Sequence, residues 1–152
     1  MRLTGLTAAG LILAVLVVAQ VGGRAKAQTA HTCAATDRQF LSTAAVNVTA
    51  LGLWGDGYVS GQLGARDIAD EALAAATRVR ATAPRDPALQ LARRLLSPMF
   101  TEYAQAALVR ARGGNAGAHM FRSYSFANLV HQVLLDAKPA LRSLGCDVTP
   151  LL

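Results

Sequence analysis

Two cysteines, three histidines, two glutamates and a handful of aromatic rings are the residues of this chain whose chemistry is worth testing first. A carboxylate-bridged di-metal centre in a helical protein needs several inward glutamates and Glu-x-x-His pairs. Here Glu71 and Glu102 are the only glutamates, and no such pair occurs. Covalent haem attachment would need Cys-x-x-Cys-His, which is absent. No Gly-x-Ser-x-Gly elbow or Walker-type phosphate loop is present either. His119 and His131 are twelve residues apart on one helical stretch. That puts them about 120° apart around the axis, so they cannot share a ligand. His31 lies near the start of the exported part of the chain. No acid–base pair has geometry behind it, so no catalytic residue and no metal ligand set is named, and an enzyme ranks third among the readings.

The cysteines carry a sharper inference. Cys33 and Cys146 are the only two in the chain. Zinc would need about four ligands at suitable spacing, and none lie nearby. In an exported chain two cysteines read as one disulfide. Export is expected from the leader: Arg2 precedes an apolar run from Leu3 to Val21, and Ala25-Lys26-Ala27 supplies the small residues of a cleavage site before Gln28. The apolar run is also just long enough to span a bilayer. Residues 1–27 are therefore read as a signal peptide or an N-terminal membrane anchor, and residues 28–152 as one domain. Both readings place the domain outside the cytoplasm, secreted or in the cell envelope.

The formal charge of +6 shrinks on inspection. Arg2, Arg24 and Lys26 belong to the leader, which leaves twelve basic and nine acidic residues, a net +3. These charges are interleaved, as in Asp37-Arg38 and Arg85-Asp86, with no basic face or arm of the kind nucleic acid requires. Nucleic acid is excluded as a partner on this ground. Arginine outnumbers lysine thirteen to two amid abundant Ala and Gly, which points to a high-GC bacterial genome. Asn47-Val48-Thr49 matches a glycosylation sequon but falls in mid-helix and is expected to stay unmodified.

Four helices account for the spacing of apolar residues. The first starts at Thr36 or Asp37, both good caps, and runs to about Gln62 with Leu41, Ala44, Val48, Leu51, Gly55, Tyr58 and Leu63 inward. The second covers about Ala65 to Thr82, acidic at its start and basic at its end as the helix dipole favours. Its inward positions are Ile68, Ala72, Ala75, Ala76 and Val79. Asp86 and Pro87 then cap and open a third helix to about Arg112, with Pro98 inside it. Gly113 and Gly114 end it. The fourth spans about Ala118 to Leu144, with Tyr124, Ala127, Val130, Leu134, Ala137 and Leu141 inward and Gly145 closing it.

Low aromatic content and alanine-rich stripes suit helices packed through small residues. The expected fold is all-α: a four-helix, up-down-up-down antiparallel bundle with one disulfide joining its termini. In that bundle Trp54, Tyr58, Tyr103 and Tyr124 fall toward the end opposite the disulfide, level with the glycines of the first helix. They are the candidate ligand-binding residues, for a lipid-like or flat ligand such as haem. Tyr58, His119 or His131 could supply a haem axial ligand, although no resident cofactor is expected. The leading expectation is a non-catalytic exported protein acting through its surface on a protein partner. The alternative is a carrier or sensor of a small apolar ligand at the aromatic end. An apolar pocket lined by those four rings would favour the carrier, and a packed aromatic end with an exposed apolar patch elsewhere would favour the surface.

Overall fold

A computed structural model describes residues 32–152. The expected leader and His31 lie outside the described residues. Within them the chain forms four long helices, α1 (Ala35–Val59), α2 (Ala65–Ala81), α3 (Pro87–Ala111) and α4 (Gly117–Ser143), and a closing 3₁₀ turn, Thr149–Leu151. No strand occurs among the described residues. Each of the three connections between helices is five residues long, a length that suits a reversal of direction between packed neighbours.

Local chemistry accounts for most of the ends. The Asp86 carboxylate accepts from the Ala88 and Leu89 amides at 2.8 and 3.2 Å, with Pro87 in the first helical position of α3. Asp67 reaches back to the Gly64 amide at 2.8 Å and closes the start of α2. Helices α3 and α4 stop at glycines in the left-handed region, Gly113 (φ 74°) and Gly145 (φ 75°), where a side chain would clash. At Gly145 the next amide, that of Cys146, bonds back to the Leu141 carbonyl at 2.9 Å. This turn swings Cys146 back against the helix end and into the core.

The start of α1 differs from the expectation. The capping position is Ala34, without a side-chain cap, and neither Thr36 nor Asp37 serves as one. Asp37 sits one turn in and is buried. Its Oδ1 accepts from the Arg85 and Asp86 amides at 2.5 and 3.2 Å. A residue read as a local cap instead ties α1 to the loop between α2 and α3.

The core joins Phe40, Ala44 and Trp54 of α1 to Ala72, Ala76 and Val79 of α2, to Leu89, Leu96 and Phe100 of α3, and to Val130, Leu134 and Leu141 of α4. All five inward positions expected on α2 are buried. The stripe on α1 is turned by part of a residue step: Phe40, Asn47 and Trp54 are buried, whereas Tyr58 is exposed. On α4 the stripe runs through Ser123, Val130, Leu134 and Leu141, and Tyr124 points away from it. Helix α3 lies centrally, its backbone close to both α2 and α4, while α1 approaches α2, α3 and the C-terminal turn at fewer points. Cys33 and Cys146 are bonded, both nearly fully buried, and close a loop of sequence separation 113. A disulfide of this kind suits an oxidising compartment outside the cytoplasm. No helix among the described residues is long and apolar enough to cross a membrane.

Candidate functional site

At the end of the molecule away from the disulfide, the close of α1, the starts of α2 and α4 and the second half of α3 surround a cleft of about 360 Å³. Its apolar lining comes from Ile68, Ala106, Ala107 and Met120, and two rings, Tyr58 and Tyr103, stand beside them. The rim is polar: Arg110 from the last turn of α3, and Asn115 from the loop before α4. Alanines create the space. At positions 65, 106, 107 and 116 they leave room that a leucine would fill.

Each polar group at this cleft has a definite state. Arg110 has no ion-pair or side-chain hydrogen-bond partner among the described residues, and the Tyr58 and Tyr103 hydroxyls likewise make no hydrogen bond there. Burial pushes the Tyr103 hydroxyl above its ordinary value of 10.0, so it is a neutral donor at physiological pH. Asn115 Oδ1 accepts from the Gly117 amide at 2.9 Å, covering one of the amides that α4 leaves unpaired at its start.

Of the four rings expected to share a site, two do. Tyr58 and Tyr103 line the cleft. Trp54 is 8% exposed and packs in the core, bordering a separate groove between α1 and α2. Tyr124 is 67% exposed on the outer side of α4. The glycines of α1 do not make the cavity: a Cβ at Gly52 or Gly55 would meet open space, and one at Gly57 would meet Leu63. The three residues considered as haem ligands are also apart. Tyr58 is in the cleft, His131 lines a different groove with Val48, Met99 and Leu151, and His119 is engaged elsewhere.

That engagement is a polar joint between α3 and α4. His119 Nδ1 lies 2.7 Å from Glu102 Oε2, and Arg122 Nε donates to the same oxygen at 2.9 Å. Arg122 Nη2 is 2.8 Å from the same His119 nitrogen, and one Nδ1 cannot both donate to the carboxylate and accept from the guanidinium. Donation to Glu102 is the stronger arrangement, because the acceptor is charged. The His119 hydrogen bond, helped by Arg122 and opposed by desolvation, holds the Glu102 carboxyl below its ordinary 4.5. A carboxylate held this acidic is a poor general base. No group of three or more His, Cys, Asp or Glu side chains suited to a metal ion occurs among the described residues.

A second joint, between α1 and α2, was not legible in the sequence. Arg78 donates through Nε and Nη2 to Asn47 Oδ1 at 3.0 and 2.8 Å, while Asn47 Nδ2 donates to the Thr43 carbonyl. The Asn47 amide is thus buried and engaged through both its oxygen and its nitrogen. In the sequence Asn47 stands out only within the Asn47-Val48-Thr49 sequon, beside the expected inward positions Ala44 and Val48.

Sequence reasoning also missed the outward face of α4. Phe121, Tyr124, Leu129 and Leu135 are 73, 67, 51 and 45% exposed. They span about 140° of the helix circumference, directly opposite the core-facing Ser123, Val130, Leu134 and Leu141. Their 3.6-residue rhythm runs through the same segment as the core stripe, and only the assignment of Tyr124 to the inside hid it.

Fold and site together define an all-helical, disulfide-closed domain with an apolar cleft at one end and an apolar outer helix face. Compared with known proteins, the chain matches no family model, no curated protein and no solved structure.

Proposed function

We propose that this is an exported, non-catalytic binding protein that engages a protein partner through the outward face of α4. The observation that carries the reading is the exposure of Phe121, Tyr124, Leu129 and Leu135 on the side of the helix turned away from the core of the described residues. Soluble domains rarely present large apolar side chains in such a row without a use for them, and aromatic anchors on a helix face supply most of the binding energy where a partner covers them. In this reading the leader directs export and is removed before Gln28 or stays as an anchor, and the helices run up, down, up, down with their ends clasped by Cys33–Cys146. The Glu102–His119–Arg122 cluster then serves to fix α4 against α3.

A photo-crosslinking amino acid at Asn128, in the middle of the face, tests this in the exporting cell. It should give a discrete adduct, which the same probe at Gln105 on α3 does not. Replacement of Phe121 and Tyr124 by serine should remove the adduct without lowering the melting temperature. If no adduct forms at position 128, or the double replacement leaves it intact, the reading fails.

The cleft beside Tyr58 and Tyr103 favours a second reading, a carrier or sensor of a small apolar ligand. Its volume lies near the lower end of the range for small-molecule sites, about 300–1,000 Å³. A native mass spectrum of the protein taken from its host, compared with the denatured mass, would show the cargo as mass lost on denaturation.

A further inference from the structure

The cleft at the end of the bundle is asymmetric in its chemistry, and the asymmetry specifies more than an apolar ligand. Its inner surface is Ile68, Ala106, Ala107 and the flank of Met120, with no charged group among them. Its only charged lining residue is Arg110 at the rim. Of the basic side chains on α3 and α4, Arg93 caps the carbonyls of Arg80 and Thr82 and Arg122 bonds Glu102, whereas Arg110, like Lys138 and Arg142, makes no such contact among the described residues; Arg110 alone of these three lines the cleft. Arg110 has no counter-ion among the described residues. The acidic residue nearest in sequence on α3, Glu102, is taken by His119 and Arg122. The start of α4 lies at the same rim through Ala116 and Gly117 and adds the positive end of a helix dipole. The Tyr58 and Tyr103 hydroxyls are further hydrogen-bond donors.

An unpaired cation, two hydroxyl donors and an apolar floor match an anion carried on a hydrocarbon chain. A guanidinium binds a carboxylate or phosphate through charge-assisted hydrogen bonds, and the hydroxyls add further donors. The floor takes the chain by removing apolar surface from water. The volume sets the number of chains: at about 360 Å³ the cleft suits one short chain, not a two-chain lipid or a large flat ring system.

We infer that this cleft binds a single-chain amphiphilic anion, its head against Arg110 and its chain along Ala106, Ala107 and Met120 between the two tyrosines. This rests on the carrier reading of the same cleft and names its ligand class. A free fatty acid and a phosphate-headed chain share this chemistry.

The test is calorimetric titration of the full-length, disulfide-bonded chain at pH 7 with decanoate, decyl phosphate and decanol. One decanoate or decyl phosphate should bind per chain, roughly ten- to a hundred-fold more tightly than decanol, the range expected for a charge-assisted hydrogen bond. The tighter of the two anions identifies the source of the head group. Arg110→Gln should bring both anions to the level of decanol and leave decanol unchanged. Ala107→Trp, which fills the floor, and Met120→Ala, which shortens it, should weaken all three probes, and thermal melts confirm that the variants are folded. Equal binding of decanoate and decanol, or full retention of the anions by Arg110→Gln, overturns the head-group assignment and leaves the carrier reading standing. No binding of any probe, or binding that neither Ala107→Trp nor Met120→Ala alters, overturns the carrier reading itself.

Discussion

Along α2 the inward side chains are Ile68, Ala69, Ala72, Ala75, Ala76 and Val79, mostly alanine, and the backbone of α3 stays close for much of that length. Along α1 the inward residues are Asp37, Phe40, Leu41, Ala44, Asn47, Trp54 and Gly57, with two large rings among them, and its backbone comes near α2 and α3 at fewer points. Axial separation follows the size of the side chains between helices, so alanine draws α2 and α3 together while phenylalanine and tryptophan hold α1 off. The two contacts are secured differently as a result. Close helices gain dispersion along their whole length. The more distant α1 is held by two bulky rings, by Asp37 on the Arg85 and Asp86 amides, by Asn47 with Arg78, and by the disulfide at its start. A hydrophobic face on the far side of α4 and a cleft at the end of the bundle are what this arrangement leaves unfilled.

The comparison makes α1 the element that depends on pins, and the largest expected effect is the loss of its covalent one. Closing a loop of sequence separation 113 constrains the unfolded chain by about 4–5 kcal/mol in the chain-entropy model. Reduction, or Cys33→Ser with Cys146→Ser, should lower the melting temperature by roughly ten degrees or more, and hydrogen exchange should quicken in α1 before α3. Uniform exchange across the four helices would break the contrast.

Packing comes next. Phe40→Ala empties a fully buried site and should cost about 3–5 kcal/mol in denaturant unfolding. Ala76→Leu tests the other contact: if α2 and α3 are as close as described, the added bulk should cost about 1–3 kcal/mol. A neutral Ala76→Leu would show slack where the alanine stripe leaves none. Asp37→Ala strands two amides of the α2–α3 loop and should cost about 1–3 kcal/mol. A cost of a few tenths would mean that water replaces the carboxylate.

Gly52→Ala should act in the opposite direction. A Cβ there meets nothing within 4 Å, so the substitution should stabilise α1 by about 0.5–1 kcal/mol. The smallest effect belongs to the joint between α3 and α4. The Glu102 carboxyl is more acidic when folded than its ordinary 4.5. Its contribution is therefore complete above that value and lost as the pH falls through the lower folded value. Glu102→Gln should flatten this part of the stability profile, measured as melting temperature between about pH 6 and pH 3.

Much of the skeleton was legible in residue order because it is decided within a few residues. Asp86-Pro87 opens α3 and Gly113 and Gly145 close α3 and α4 through local hydrogen bonds and backbone sterics. The alanine stripe of α2 has a single apolar face, so its orientation was unambiguous. Helix α4 has two apolar faces, and periodicity alone cannot rank Tyr124 against Ser123. The structure buries Ser123, whose hydroxyl donates to the Met99 carbonyl at 3.0 Å, and turns Tyr124 out. Two of the four candidate rings share one cleft. Tyr58, near the close of α1, and Tyr103, on the second half of α3, line the same cleft, whereas Trp54 is buried in the core.

By itself the sequence determined the number of helices, the ends of α3 and α4, and the pairing of its two cysteines. These follow from capping, glycine sterics and the chemistry of paired thiols, which act locally or admit one solution. Only the tertiary structure decided how α1 is turned, which tyrosines face a common cleft, and that Arg110 stands at its rim without a counter-ion among the described residues. Those outcomes depend on how far apart the helices sit. That distance is set jointly by side chains remote in sequence, alanines between α2 and α3 and bulky rings against α1, so no single segment contains the information.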